Sequence, residues 1–351
     1  MRDSQLPKKI KLDDVARLAG VSAVTVSRAL RKPEMVSPKV RQRITEIVDR
    51  LGYVPDPVAR ALASDRTDVI GVLIPSVTNN VFADVLRGIY AGAEGSPLSI
   101  QFGNTRYSVL EEERLLRIFL SQRPAGLIVT GVDQSEASRT LLRQAQCPVV
   151  QIMEMGADPI DMMVGFSHRD AAADATRHLI AAGYRRIAFF GARMDPRTQR
   201  RLDGFMQATK EAGLYDERLV VTTPRPSTVG VGCELLGELL ARTADVDAIF
   251  CINDDLALGA LFECQRRRID VPDQLGICGF NDLEMMAVTN PPVSSVRTFR
   301  QEMGRRAAQL IVARLAGEAV PEPVIDLGYS LMARPSSRPS RTTAVPAPPR
   351  G

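Results

Sequence analysis

The sequence predicts an N-terminal all-α helix-turn-helix headpiece followed by an α/β core of two doubly wound parallel-sheet lobes. Three observations carry this. Residues 1–66 hold a helix–glycine–helix pattern in a block with 14 Lys/Arg against 8 Asp/Glu, which leaves the rest of the chain slightly acidic although the net charge is +4. From Asp68 onward, short apolar runs alternate with amphipathic helical stretches, the pattern of parallel sheets covered by helices on both faces. The alternation is too long for one small sheet, and two lobes fit the length of 351 residues.

In order, Leu12–Ala19 reads as an amphipathic helix. Gly20 suits the left-handed residue past its end. Ser22 suits the N-cap of a second helix, whose Val21, Val26 and Leu30 face inward while Ser, Thr and Arg face out. That is helix, tight turn, helix, a shape that enters a DNA major groove. Ser37 and Pro38 open a third helix with the stripe Val40, Ile44, Ile47, Val48 and Leu51, and Gly52 ends it. The headpiece is placed at residues 1–55. Pro55 forces Val54 to be extended, and Asp56-Pro57 begins a segment of about two helical turns, too short to be a stable helix alone. Residues 56–66 are therefore read as a hinge that orders on DNA.

The core is placed at 67–332. Its expected strands are Val69–Ile74, Gly126–Thr130, Pro148–Ile152, Ile187–Phe190, Ala248–Ile252 and Gly276–Gly279. Its expected helices are Val81–Ala93, Val109–Ser121, Ser135–Gln144, Asp170–Ala182, Thr198–Ala212, Val229–Ala241, Asp255–Arg267 and Arg300–Ala316. The tail, residues 333–351, is rich in Pro, Ser, Thr and Arg and is expected to be disordered, with no heptads for higher assembly.

Composition narrows the function. The chain is 45% hydrophobic and 25% charged, the balance of a globular protein. No apolar run approaches the roughly 20 residues of a membrane helix, and the charged first residues lack a signal-peptide core. A cytoplasmic location and no membrane partner are expected. Five scattered cysteines and two histidines give no metal cluster and no histidine-based triad. No nucleotide loop or nucleophile elbow occurs, since Gly230-Val-Gly232 with Gly237 has the wrong spacing for a dinucleotide fingerprint. Neither catalysis nor a cofactor is expected. The rival readings are a sugar-acid enzyme or a sugar-binding transport protein on the same α/β scaffold. Neither needs a basic helix-turn-helix.

The order Asp14-Val-Ala-x-x-Ala-Gly-Val-Ser-x-x-Thr-Val-Ser-Arg28, then Val36-Ser-x-x-x-Arg41 and Leu51-Gly-Tyr-x-Pro55, resembles the lac-repressor-like (LacI/GalR) transcription regulators. So do Ile70-Gly-Val-Leu-Ile-Pro75, Asn253-Asp254 with Ala257-Leu-Gly-Ala260, and Gly279-Phe280 before Asn281-Asp282. Within that family, Ser76-Val-Thr-Asn-Asn-Val-Phe-Ala-Asp-Val-Leu-Arg-Gly88, Gly191–Thr198, Phe250–Ala257 and Phe262–Gln265 look like the gluconate-operon repressors. The resemblance implies a homodimer bound to a near-palindromic operator, with a periplasmic-binding-protein-like core that takes a small effector and so releases the DNA.

On DNA, the resemblance puts Ala23 and Val24 at the main base-reading positions. Both are apolar and suit a thymine methyl, which leaves Arg28 to pair with guanine. Ser22, Thr25 and Ser27 hold phosphate or pack locally. Ser37 resembles a phosphate contact, and Tyr53 a packing and backbone contact. Leu62 falls where the family places a minor-groove wedge. Asp56 departs from the asparagine common there.

For the effector, ligands of open α/β sheets sit outside the carboxyl ends of strands. Ser76–Asn80, Asn253-Asp254 and Asn281-Asp282 follow three such ends, with Asp254 and Asp282 serving either the ligand or the next helix. The candidates are Asn80, Asn253 and Asn281 from these ends, and Glu154 as an acceptor for sugar hydroxyls. By resemblance, Phe82 and Phe166 contact a face of the ligand and Arg201 its polar end. An Arg fork suits a carboxylate, which points to a gluconate-like sugar acid.

Overall fold

The structure is a computed structural model that describes residues 10–31, 33–54, 66–243 and 245–339. It divides into two compact units, Met1–Thr67 and Asp68–Gly351. Residues 55–65 lie outside the described residues, so the hinge expectation and its Leu62 and Asp56 do too.

In the first unit, helices span Leu12–Ala19, Ala23–Arg31 and Pro38–Leu51. Asp14 fixes the first helix start by accepting from the Lys11 backbone N–H at 3.0 Å. Gly20 ends that helix at φ 60°, and Gly52 ends the third at the same φ, a conformation that costs a side chain with a Cβ. Val15, Ala19, Val26, Ile44, Ile47 and Tyr53 are buried together as the core of the three helices.

The second unit contains two sheets of six strands each. The first is built from β1 (Val69–Ile74), β2 (Ser99–Asn104), β3 (Gly126–Thr130), β4 (Val149–Ile152), β5 (Met162–Gly165) and β11 (Val324–Asp326), in the order β11-β5-β4-β3-β1-β2. The second holds β6 (Ile187–Ala192), β7 (Val220–Thr223), β8 (Ala248–Cys251), β9 (Gly276–Asn281), β10 (Ser294–Thr298) and β12 (Tyr329–Met332), in the order β12-β10-β9-β8-β6-β7. All pairings are parallel except β10 with β12. Both orders reverse direction beside the first strand of the sheet, at β1 and at β6, the switch point where open α/β sheets bind ligands.

The chain passes between the lobes three times. It leaves the first sheet after β5 for helix His168–Ala181, which packs on the second sheet. It returns after β10 with helix Arg300–Leu315, which lies against helix Asn80–Ala93 and against β3, β4 and β5. It crosses again between β11 and β12, where Gly328 sits at φ 61°.

Six strands escaped the sequence reading: β2, β5, β7, β10, β11 and β12. They are three to six residues long. Several carry polar residues that the fold buries or leaves at an edge, as in Ser-Ser-Val-Arg-Thr of β10, with Ser294 and Ser295 fully buried. Period and apolarity do not mark such strands.

The expectation of a disordered tail from residue 333 needs correction. Pro335–Ser337 forms a short 3-10 turn with Ser336 and Ser337 fully buried. Ser336 Oγ donates to the Ile277 carbonyl at 2.7 Å, and the Ser294 N–H donates to Ser336 Oγ at 2.8 Å. Arg334 reaches Asp282 at 2.6 Å. Polar residues can be held as firmly as apolar ones when each buried group has a partner, and composition does not reveal those partners.

Candidate DNA interface and effector cleft

In the headpiece, the second helix turns Val24 outward, 64% exposed. Arg28 is exposed on the same helix and makes no ion pair among the described residues. The Ser22 hydroxyl accepts from the Thr25 N–H at 3.2 Å and lies 2.9 Å from Thr25 Oγ1. Both residues therefore pack locally at the helix start. Ala23 and Ser27 are half-buried, and Ser37 is exposed. Ser37 stands at the third helix's N-cap without a side-chain capping bond. Tyr53 is buried in the headpiece core. Lys39, Arg41 and Arg43, not singled out from sequence, add exposed positive charge beside Ser37.

In the core unit, the ends of both sheets face one cleft, whose empty space, its open mouth included, is about 790 Å³. Phe82, Arg201, Asn253 and Asn281 line it, with Ser76, Thr78 and Asn79 from the loop after β1. Three expected contacts do not line it. Asn80 is exposed on the first turn of its helix, while Asn79, the N-cap, faces the cavity and accepts from the Val81 N–H at 3.0 Å. Phe166 is fully buried, its ring 4.3 Å from His168 and 6.3 Å from Phe280. Glu154 is 2% exposed and turned into the protein: Oε1 accepts from the Met155 N–H at 3.0 Å, and Oε2 lies 3.5 Å from Arg200. Burial raises the Glu154 pKa, partly countered by the Met155 N–H and Arg200.

Tyr107, Arg193, Asp195, Arg197, Ser227 and Asp255, none of them among the candidates taken from the sequence, also line the cavity. Tyr107 follows β2 and Ser227 follows β7, strands that went unrecognised, so their loops were not placed at strand ends. Asp255 was overlooked for its neighbour. Asp254 is fully buried and accepts from the Leu283 N–H and Ser295 Oγ, both at 2.6 Å. It fastens the loop after β9, while Asp255 faces the cavity. Successive residues of a helix point about 100° apart, so adjacent acids serve different ends.

Four cavity residues that are not glycine have positive φ: Tyr107 at 57°, Met153 at 75°, Arg193 at 64° and Asn281 at 108°. Such strain persists where the surroundings over-determine it, and it gathers at functional sites.

Arg201 is almost completely buried at the cavity wall. Its Nε donates to His168 Nδ1 at 3.1 Å, and its Nη1 to the Ile252 carbonyl. The guanidinium lies 3.9 Å from the centre of the Phe280 ring. Burial brings its pKa down to about 10, still cationic at neutral pH. His168 completes the chain: its other nitrogen, Nε2, donates to the Met153 carbonyl at 2.7 Å. Burial first, and then Arg201 and Arg197, hold the His168 pKa well below its usual value, so the imidazole is neutral. One ring thus links Met153 of the first lobe to Arg201 of the second.

Asp195 caps helix Pro196–Glu211, accepting from the N–H groups of Arg197 at 3.0 Å and Thr198 at 3.1 Å. Three arginines, Arg193, Arg197 and Arg201, face two carboxylates, Asp195 and Asp255, across a surface rich in amides and hydroxyls. The cavity suits a polyhydroxylated anion: amides and carboxylates for hydroxyls, guanidinium for negative charge. No group of metal-ligating side chains occurs among the described residues. Among them, too, no helix is long and apolar enough to cross a membrane.

Comparison with known proteins agrees with both halves. Residues 11–56 match the bacterial regulatory proteins of the lacI family, and residues 176–337 match the periplasmic binding protein-like domain. The HTH-type transcriptional regulator GntR of Pseudomonas aeruginosa is 43% identical over 326 residues, 93% of this chain and 95% of that protein. A LacI-family regulator from Silicibacter pomeroyi superposes with a TM-score of 0.89 at 37% identity, over 94% of this chain and 99% of that one. GntR from Chromobacterium violaceum superposes with a TM-score of 0.74 at 41% identity, over 77% and 99%.

Proposed function

The chain belongs to the lacI family of bacterial regulatory proteins and is a DNA-binding transcriptional regulator rather than an enzyme, and from that premise we propose that it represses sugar-acid genes and leaves its operator when a gluconate-like acid fills the cleft. The observation that carries the effector class is the convergence of Arg193, Arg197 and Arg201 with Asn79, Asn253, Asn281 and Asp255 on one cavity. Phe82 supplies its apolar wall. Gluconate offers a carboxylate and a row of hydroxyls to that lining.

The working form is a homodimer on a near-palindromic operator, one headpiece per half-site. Exposed apolar residues in both lobes support self-association, among them Phe102 at 51%, Leu110 at 77% and Val288 at 79%. Ligand binding closes the lobes, changes the dimer geometry and loosens the paired headpieces. The coupling is expected to lower operator affinity by about 5–150-fold, and operator weakens ligand binding by the same factor. Thermal shift and operator titration with gluconate and 2-ketogluconate test this, and the titration also gives the number of chains per operator. Gluconate is expected to raise the melting temperature and weaken operator binding. Sugar acids that leave both unchanged would refute the effector class.

Base reading rests on the exposed face of helix Ala23–Arg31. Val24 suits a thymine methyl and Arg28 the O6 and N7 of a guanine. Ser37, exposed at the third helix's N-cap with no side-chain capping bond, is left to meet a phosphate, while Ser22 and Thr25 brace the start of the reading helix. Arg28→Ala is expected to cost about 1–3 kcal/mol on operator, roughly a 5- to 150-fold loss, and much less on random DNA. Equal losses on both would reassign Arg28 to phosphate.

A further inference from the structure

Arg201 is poorly placed to grip a carboxylate with two parallel hydrogen bonds. Its Nε is spent on His168, which removes the Nε–Nη2 edge, and one N–H of its Nη1 is spent on the Ile252 carbonyl, which ties the other edge. A bidentate grip needs two adjacent free donors on one guanidinium edge. The helix end beside it is also taken, because Asp195 already accepts from the Arg197 and Thr198 N–H groups.

Arg197 differs. It lines the cavity, and its Nη1 is buried with no hydrogen-bond partner. Its one carboxylate neighbour, Asp195, approaches Nε at 3.9 Å, beyond hydrogen-bond distance. Its guanidinium carbon lies 6.0 Å from the Phe82 ring centre and 5.9 Å from that of Tyr107, both on the first lobe. The Arg193 guanidinium carbon lies 4.2 Å from the Tyr107 ring centre, a cation–π distance that engages its cation with that ring. A buried donor without an acceptor is unfavourable until an acceptor arrives.

We propose that Arg197, not Arg201, takes the anionic group of the effector and so selects acids over neutral polyols. Arg201, held by His168 and the Ile252 carbonyl, is a rigid wall. Because Arg197 projects from the second lobe between aromatic rings of the first, an anion seated on it bridges the lobes. This rests on the cleft being the effector site.

The test compares gluconate with its neutral counterparts gluconamide and glucitol, by calorimetry and thermal shift, on the full chain. Arg197→Gln, Arg197→Lys, Arg201→Gln and Arg193→Gln are measured beside the parent, with inorganic phosphate at low ionic strength as a second anion. The parent is expected to favour gluconate over gluconamide by about tenfold or more. Arg197→Gln should bring that ratio near one, Arg197→Lys should keep part of it, and Arg201→Gln and Arg193→Gln should keep most. Full discrimination in Arg197→Gln, or its loss only in Arg201→Gln or Arg193→Gln, overturns the assignment. If no sugar acid binds the parent, the sugar-acid reading falls, and phosphate still decides the residue. Stabilisation by phosphate that vanishes in Arg197→Gln supports it. Stabilisation that persists there, or is absent from the parent, overturns it.

Discussion

Asp254→Asn is expected to flatten the pH dependence of the core's stability between about pH 4 and pH 7. Asp254 is fully buried between helix Asp254–Arg267 and the loop after β9, and burial lifts its pKa from 3.8 to about 7. In the unfolded chain the acid ionises near its ordinary value. Between the two pKa values the folded state therefore holds a proton that the unfolded state has lost. Stability tied to this group is complete below the unfolded pKa and is lost as pH rises through the folded one. The span corresponds to on the order of 4 kcal/mol. An amide keeps the shape and stays neutral. It can accept from the Leu283 N–H and donate to Ser295 Oγ, because a hydroxyl can turn to accept. Denaturant unfolding of parent and variant at pH 5 and pH 8 gives the test, and taking the difference cancels other groups such as Glu112, whose pKa is also raised to about 7 by burial. The variant should gain on the parent at pH 8 by about 2–3 kcal/mol relative to pH 5, because about two of the roughly three pH units lie between those values. An unchanged difference would mean that Asp254 is not carrying the proton. Function is linked to this carboxyl, since the loop it fastens directly follows Asn281, the last residue of β9, which lines the cavity.

What the sequence made legible follows from the range of each interaction. The headpiece is local: Gly20, Ser22, Ser37-Pro38 and Gly52 mark its helix ends, and the helical spacing of Val40, Ile44 and Ile47 marks its core. The two-lobed architecture was readable because apolar strands and amphipathic helices alternate. Asn253 and Asn281 were found because they follow central, strongly apolar strands. Tyr107 was hidden because β2 is a polar edge strand, Ser-Ile-Gln-Phe-Gly-Asn. Nothing local to Glu154 and Phe166 reveals Arg200 or Phe280, which are distant in sequence, adjacent in space and hold both side chains off the cavity lining. The arginine assignment turned on the same point. Arg197 and Arg201 lie one helical turn apart, and only the partners of their N–H groups distinguish a wall from a hand.

Gly304→Val is expected to cost the core about 3 kcal/mol or more, because the obstacle is backbone. A Cβ at Gly304 would lie 2.1 Å from the Val85 carbonyl oxygen and 2.9 Å from the Ile89 nitrogen. From the other side, a Cβ at Gly88 would lie 1.9 Å from the Gln301 carbonyl oxygen. A Cβ at Gly92 would lie 2.3 Å from the Arg305 carbonyl oxygen, so helices Asn80–Ala93 and Arg300–Leu315 touch main chain to main chain at three glycines. Neither side can swing away as a side-chain tip would, so the helices must separate and open gaps along the first lobe. Gly237→Ala is the matched control. Its Cβ would meet only Arg267 Nη2 at 3.3 Å, the end of a flexible side chain. Alanine there also gains up to about 1 kcal/mol of helix propensity. Thermal unfolding should place Gly304→Val well below the parent, by about 6–12 °C at about 2–4 °C per kcal/mol, and Gly237→Ala near or above it. Equal melting temperatures would show that the helix pair yields easily. The first helix carries Phe82 into the cleft and the second begins at the lobe crossing after β10. A loosened pair should thus bind effector more weakly even where the fold survives, a loss that Gly237→Ala does not share.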